Sequence, residues 1–326
     1  MHPAFSVIFL TTLIGVGQGL FLALYTGQVY TLAKLLPAQD SVSFYAFGGL
    51  LALLFLIGGL LASFFHLGHP ERAWRAASQW RTSWLSREVI VLPVFMFLVA
   101  LYAVIHFLGW TMPLFVIADT LAVDLTLIIG FLASIAAFAL FISTAMIYAC
   151  LKFLQEWHSP LTVANYTLLG IASGFMLAAA FSAYTDVDLV VFFGVWAVIF
   201  TLMGFITRAA SLIRNKQLRH KFNLKSAIGV RHSQMTQKAQ GFMGGSFNTR
   251  EFFHGKSKAL VQLVKYTFLL LVFVVPVLLV GASYALESST LPIFAFVAQY
   301  LGLMVERWYF FADAKHPQNL YYQSMS

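Results

Sequence analysis

Apolar runs of about 20 residues, each long enough as a helix to cross a hydrocarbon core of roughly 30 Å, follow one another along nearly the whole chain. That pattern excludes most folds. The residue-by-residue alternation of barrel strands does not occur in these runs. Only 10% of the 326 residues are charged and 60% are hydrophobic, whereas a soluble protein carries roughly a quarter charged residues. The predicted class is therefore all-α, a polytopic integral membrane protein forming a single domain over residues 1–326. The first run follows no Lys/Arg-rich segment and exceeds a signal-peptide core in length, so it reads as a retained span.

Eight transmembrane helices are expected, at about 4–27, 44–66, 88–109, 124–152, 161–183, 188–208, 261–285 and 291–311. Of the 20 Lys and Arg residues, Lys34 alone falls in the connections after spans 1, 3, 5 and 7, and the other nineteen lie on the opposite side. The positive-inside rule then puts both termini on the cytoplasmic side of a bacterial inner membrane. A formal charge of +8 raises the possibility of nucleic acid. The basic residues sit beside spanning helices, however, where topology and acidic lipid account for them, and no nucleic-acid partner is expected. One cysteine, Cys150, excludes a disulfide framework and any iron-sulfur cluster held by this chain alone.

Three stretches stand apart from the apolar runs. In span 1, Gly15, Gly17 and Gly19 surround Gln18. No strand precedes them, so they do not form a nucleotide loop. Gly15 and Gly19, with Gly170 and Gly174 in span 5, have the spacing of close helix packing; a groove for a flat ring or an isoprenoid tail is the alternative. Residues 67–87 form a polar joint between spans 2 and 3, rich in Arg and carrying Trp74, Trp80 and Trp84. Its composition predicts a segment lying along the membrane interface. Residues 209–260 form a long basic loop containing Phe242, Met243, Phe247 and Arg250. Apolar density of that kind in a loop predicts docking onto partner subunits, with Arg75 and Arg81 of the joint also available for docking; folding back on the bundle or onto lipid is the plain alternative.

Ionisable residues beside the apolar runs are the candidates for chemistry, because an unpaired charge in a membrane helix costs several kcal/mol. His66 ends span 2 and Glu88 opens span 3, so connected helices bring them to the same side. Imidazole and carboxyl groups supply the hydrogen bonds and proton route that a quinone head group needs on reduction. The competing explanations are local: Ser86 or Ser83 can cap span 3 and place Glu88 in its first turn, where a carboxylate is favoured by the helix dipole, and His66 can cap span 2. Haem is not expected, since His106 lies eighteen residues beyond Glu88, about 27 Å along a helix, too far from His66 to share an iron. Glu306 and Arg307 abut in span 8. Helical geometry points them about 100° apart, so they are not expected to form a facing pair on one helix, and either can instead meet a charge on another span.

The segment His66-Leu-Gly-His-Pro-Glu-Arg72, the segment Leu85-Ser-Arg-Glu88 and the pair Glu306-Arg307 resemble the DmsC family, the membrane anchors of dimethyl-sulfoxide-reductase-type molybdenum enzymes. The Gly-Phe-Met-Gly-Gly-Ser-Phe loop resembles the SoeC-type anchors of cytoplasmic sulfite-oxidising enzymes. The resemblance implies a haem-free anchor that binds ubiquinone or menaquinone. It also implies two partners, an iron-sulfur subunit of four clusters and a molybdopterin catalytic subunit. His66, Arg72 and Glu88 match the family's quinone-site positions. The resulting expectation is a subunit of a sulfite:quinone oxidoreductase complex, without a catalytic metal of its own and with its partners on the cytoplasmic side. One alternative is the anchor of a dimethyl sulfoxide reductase that oxidises quinol. Another is a transporter or channel, which requires broken helices or mid-membrane charge pairs.

Overall fold

A computed structural model describes the chain except for residues 118–120, 186–187, 220–221, 231, 233, 237–251, 318 and 320–326. Seven helices are long and apolar enough to cross a membrane: α1 (Phe5–Leu32), α2 (Ser41–Phe64), α3 (Trp84–Phe107), α4 (Leu125–Ala149), α5 (Pro160–Thr185), α6 (Leu189–Gln217) and α8 (Lys258–Ala285). A short helix α7 (Leu224–Ile228) follows α6. The expected eighth segment is helical, as α9 (Leu291–Asp313). It is not among the seven, because Gln299, Glu306 and Arg307 dilute its apolar character. Among the described residues the departure from all-α is a hairpin of β1 (Pro113–Ile117) and β2 (Leu121–Asp124) between α3 and α4.

Capping residues fix where several helices start. Asp40 accepts the backbone N–H groups of Val42 and Ser43 ahead of α2, Asp124 accepts that of Leu127 at α4, and Ser83 accepts that of Ser86 at α3. The Ser83 cap starts α3 at Trp84, four residues before the expected boundary. Glu88 therefore sits in the second turn, beyond the reach of the first-turn dipole explanation. At its other end α6 runs on to Gln217, so Arg208 is an interior helical residue rather than the edge of a loop.

The bundle is built around α1 and α5, which are buried along most of their length. Glycines let their backbones touch: a methyl group on Gly174 would lie 2.0 Å from the Gly19 carbonyl carbon, and one on Gly19 would lie 2.2 Å from the Gly170 oxygen. The glycine spacing in the two spans is thus helix packing. Helix α2 closes on α1 where Gly59 meets Ile14 and Gly17 meets Ala52 and Leu56. Helix α8 contains a wide π-turn at Leu270–Val274, one residue before Pro276 enters its continuation. Proline has no N–H to give the carbonyl four residues back. That carbonyl, on Val272, instead accepts the Gln299 side chain of α9 at 3.3 Å, and Gly302 packs against the same turn.

The joint is a 3₁₀ helix, Pro70–Gln79, with no buried residue. Trp74 and Trp80 are exposed, and Arg75, Arg81 and Arg87 lie over Trp74, Trp80 and Trp84. Arg87 donates to the carbonyls of Trp80 and Arg81 at 3.0 and 2.9 Å, tying the joint to the start of α3. In the long connection, Phe242, Met243, Phe247 and Arg250 lie outside the described residues. Phe252 and Phe253, by contrast, are buried against this chain, and the Phe252 ring stacks on His316 at 3.8 Å.

Candidate functional site

Glu88 is buried on the inner face of α3. The Thr144 hydroxyl of α4 donates to its Oε1. Beside the carboxyl lies a cavity of about 20 Å³ lined by α1, α3, α4, α5 and α9, room for one or two waters. Thr11, Thr12 and Gln18 of α1, Tyr166 and Ser173 of α5, and Arg307 of α9 give it a polar lining. Gly15 and Gly170 also face it, so the touching glycines form part of its wall. Gln18 donates to the Ala137 carbonyl at 2.9 Å, which fixes its amide in the wall.

A buried charge cluster adjoins the cavity. Arg208 of α6 places Nε 2.8 Å from Glu306 Oε1, and Arg307 places Nε 3.3 Å from Glu306 Oε2. All three side chains are buried. The interhelical contact is the one expected for Glu306. The contact between Glu306 and its sequence neighbour corrects the expectation that adjacent helical residues do not meet. Both side chains bend toward the same point, because one carboxylate is shared by two guanidinium groups. The Arg307 guanidinium also lies 3.7 Å from the centre of the Tyr166 ring, and that of Arg208 lies over Phe268 and Tyr309.

Of the residues singled out from the sequence, Glu88 lines this cavity and His66 and Arg72 do not. His66 is exposed just after α2. Apolar surroundings push its imidazole below the ordinary value, against one backbone hydrogen bond at Ala62 that raises it. Arg72 is exposed on the joint, its Nε 3.6 Å from Glu71; Arg75 and Arg81 are exposed with it. Sequence reasoning missed Thr144, Tyr166, Gln18 and Arg208 as neighbours of Glu88 or Arg307. Spacing along one helix carries no signal for them, since each arrives on a different helix.

A second buried polar group lies toward the other end of α3. His106 Nδ1 is 2.8 Å from the Ser41 hydroxyl, and its ring packs against those of Tyr45 and Tyr102. Tyr102 donates to Gln28 at 2.8 Å, Gln28 donates to Thr126, and Thr126 donates to Asp124 at 2.7 Å. Between the two polar groups α3 presents Leu92, Phe95 and Val99, all buried, with Phe21 of α1 set edge-on against Phe95. Among the described residues no group of three or more His, Cys, Asp or Glu side chains is placed to hold a metal ion.

The family model described as "DMSO reductase anchor subunit (DmsC)" matches residues 1–322. The chain belongs to the DmsC family. This DmsC-family chain is similar to a sulfite dehydrogenase subunit from Allochromatium vinosum. The two are 63% identical over 326 residues, covering 100% of both chains. The DmsC assignment extends over all seven apolar helices and α9.

Proposed function

We propose that this DmsC-family chain is the quinone-binding anchor subunit of a sulfite:quinone oxidoreductase in the bacterial inner membrane. The observation that carries the reading is Glu88, a carboxyl buried one turn inside α3 and backed by a water-sized cavity. The similarity to the sulfite dehydrogenase subunit of Allochromatium vinosum supports sulfite as the electron source. A quinone ring is far larger than the cavity. It docks on the outer side of Glu88, between α3 and the joint, with His66 and Arg72 at the rim. Helix α9 is the eighth span, its charges paired inside the bundle. Both termini and the joint face the cytoplasm. There Arg75, Arg81 and the loop containing Phe242, Met243, Phe247 and Arg250 dock an iron-sulfur subunit, which in turn carries a molybdopterin catalytic subunit. Exposed Trp and Arg side chains of the joint seat it among lipid head groups.

The test is to replace Glu88 with Gln, or His66 with Ala, in the assembled complex and to follow quinone reduction with sulfite as donor. The expected result is a loss of about 100-fold or more for Glu88→Gln with assembly intact, the range of a missing general acid. Unchanged turnover in both variants removes these residues from the site. Dimethyl sulfoxide with a reduced quinol, assayed beside sulfite, separates the reductase reading: activity with the sulfoxide alone makes the chain a reductase anchor.

A further inference from the structure

Arg307 is not among the residues matched to the family's quinone positions, yet it lines the same cavity as Glu88. Three features of its surroundings set it apart from a structural ion pair. First, the cluster holds two guanidinium groups and one carboxylate, Arg208, Arg307 and Glu306, all buried. Arg208 is close to Glu306 at 2.8 Å, and on its outer side Tyr309 donates to the half-exposed Asp313. Arg307 is the member that turns toward the cavity. Second, a buried positive charge without a full partner costs several kcal/mol, so a low-dielectric site favours an opposing charge nearby. Glu88 is the carboxyl residue lining the cavity that Arg307 shares. Third, Arg307 is held in place on two further sides, by Glu306 and by the face of the Tyr166 ring. A side chain pinned in this way presents its charge in a fixed position, at no reorganisation cost when the charge opposite changes.

We propose that Arg307 is a positioning residue for proton delivery: acting through water in the cavity, it stabilises the carboxylate that Glu88 becomes each time it gives up a proton. The inference rests on the quinone-anchor reading above. Reduction of one quinone to quinol consumes two electrons, supplied by the docked iron-sulfur donor, and two protons. When Glu88 passes one of these from its carboxyl to a quinone oxygen it is left negative. Arg307, on the same cavity, stabilises that charge through the water, and a proton from bulk water on the joint side, relayed by the cavity water, restores the carboxyl, which passes on the second proton in the same way. Thr144 holds the carboxyl in the orientation that keeps one side toward the cavity.

The experiment compares Arg307→Met and Arg307→Lys in the purified complex, with sulfite as donor and decylubiquinone as acceptor. Arg307→Met leaves the Arg208 to Glu306 pair, which is neutral, so the buried cluster remains compensated. The expected result is a kcat lower by about 10-fold or more with KM within about twofold, and an increased solvent deuterium isotope effect on kcat. Arg307→Lys, which restores the charge, recovers at least part of the rate. Wild-type kcat in Arg307→Met overturns the proposal, as does an equal loss in Arg307→Met and Arg307→Lys, the mark of a merely structural residue. If Arg307→Met does not co-purify with its partners, the neutral, hydrogen-bonding Arg307→Gln takes its place: a kcat and isotope effect equal to those of the wild type overturn the proposal, and a lower kcat with a larger isotope effect supports it. A wild-type complex unable to reduce decylubiquinone or a menaquinone analogue with sulfite defeats the anchor reading itself. A competent wild type with an indifferent Arg307→Met variant defeats this inference alone.

Discussion

The contact between α1 and α5 can be tested with two substitutions that look alike in sequence and differ in space. Gly15 and Gly174 both lie on this interface. A Cβ on Gly15 would sit 3.5 Å from the Gly170 Cα, an ordinary contact. One on Gly174 would sit 2.0 Å from the Gly19 carbonyl carbon and 2.1 Å from the Leu20 nitrogen, both backbone atoms that cannot swing away. Restoring a normal separation of about 3.5 Å requires the helices to part by about 1.5 Å, and a gap of 0.5–1 Å already forfeits a quarter to a half of a dispersion well. Because α1 and α5 are the buried axis, the loss extends along the whole crossing. The cost for Gly174→Ala is expected to be about 3 kcal/mol or more, at the upper end of overpacking effects, and that for Gly15→Ala under about 1 kcal/mol. The assay is thermal unfolding of the detergent-solubilised complex, followed by tryptophan fluorescence. Gly174→Ala is expected to lower the midpoint by about 5 °C or more, and Gly15→Ala to leave it within a degree or two. Equal midpoints for the two variants would refute the backbone contact and the account of the glycines built on it.

Two further outcomes follow from the geometry. Gln299→Leu removes the donor to Val272 O and Thr201 at the π-turn of α8. It is expected to destabilise the protein by about 1–3 kcal/mol, seen in the same thermal assay, with no change in the activity of the folded fraction. The imidazole of His66 has its ordinary value lowered by partial desolvation beside the end of α2. Its modification by diethylpyrocarbonate, which attacks the neutral ring, should therefore persist to lower pH than that of an N-acetylhistidine standard, as read by peptide mass spectrometry. A midpoint at or above that of the standard would contradict this.

How far the sequence discloses this molecule depends on which contacts are local. The spans are legible because twenty-residue apolar runs admit few other structures, and Glu88 stands out because a carboxyl beside such a run needs a reason to be there. Apolarity alone starts α3 at about residue 88, whereas a serine cap at Ser83 begins the helix among polar residues. That difference moves Glu88 from a helix end into the packed interior. Arg208 is legible only as a boundary, since nothing in α6 signals that Glu306 approaches from α9. The same holds for Gln299, whose partner Val272 O lies in the π-turn four residues before Pro276, which has no N–H to offer it. In each case the missing information is the identity of a neighbour on another helix.

The layer of Phe21, Leu92, Phe95 and Val99 between the two polar groups has a consequence for energy conservation. Hydrogen-bonded groups continuous from Asp124 to Glu306 would offer protons a short circuit through the subunit and drain the electrochemical gradient of the membrane that houses it. Four apolar side chains, two of them aromatic, interrupt that route with a segment in which water finds no partner. They act as electrical insulation, keeping the Glu88 carboxyl apart from the polar group at the far end of α3.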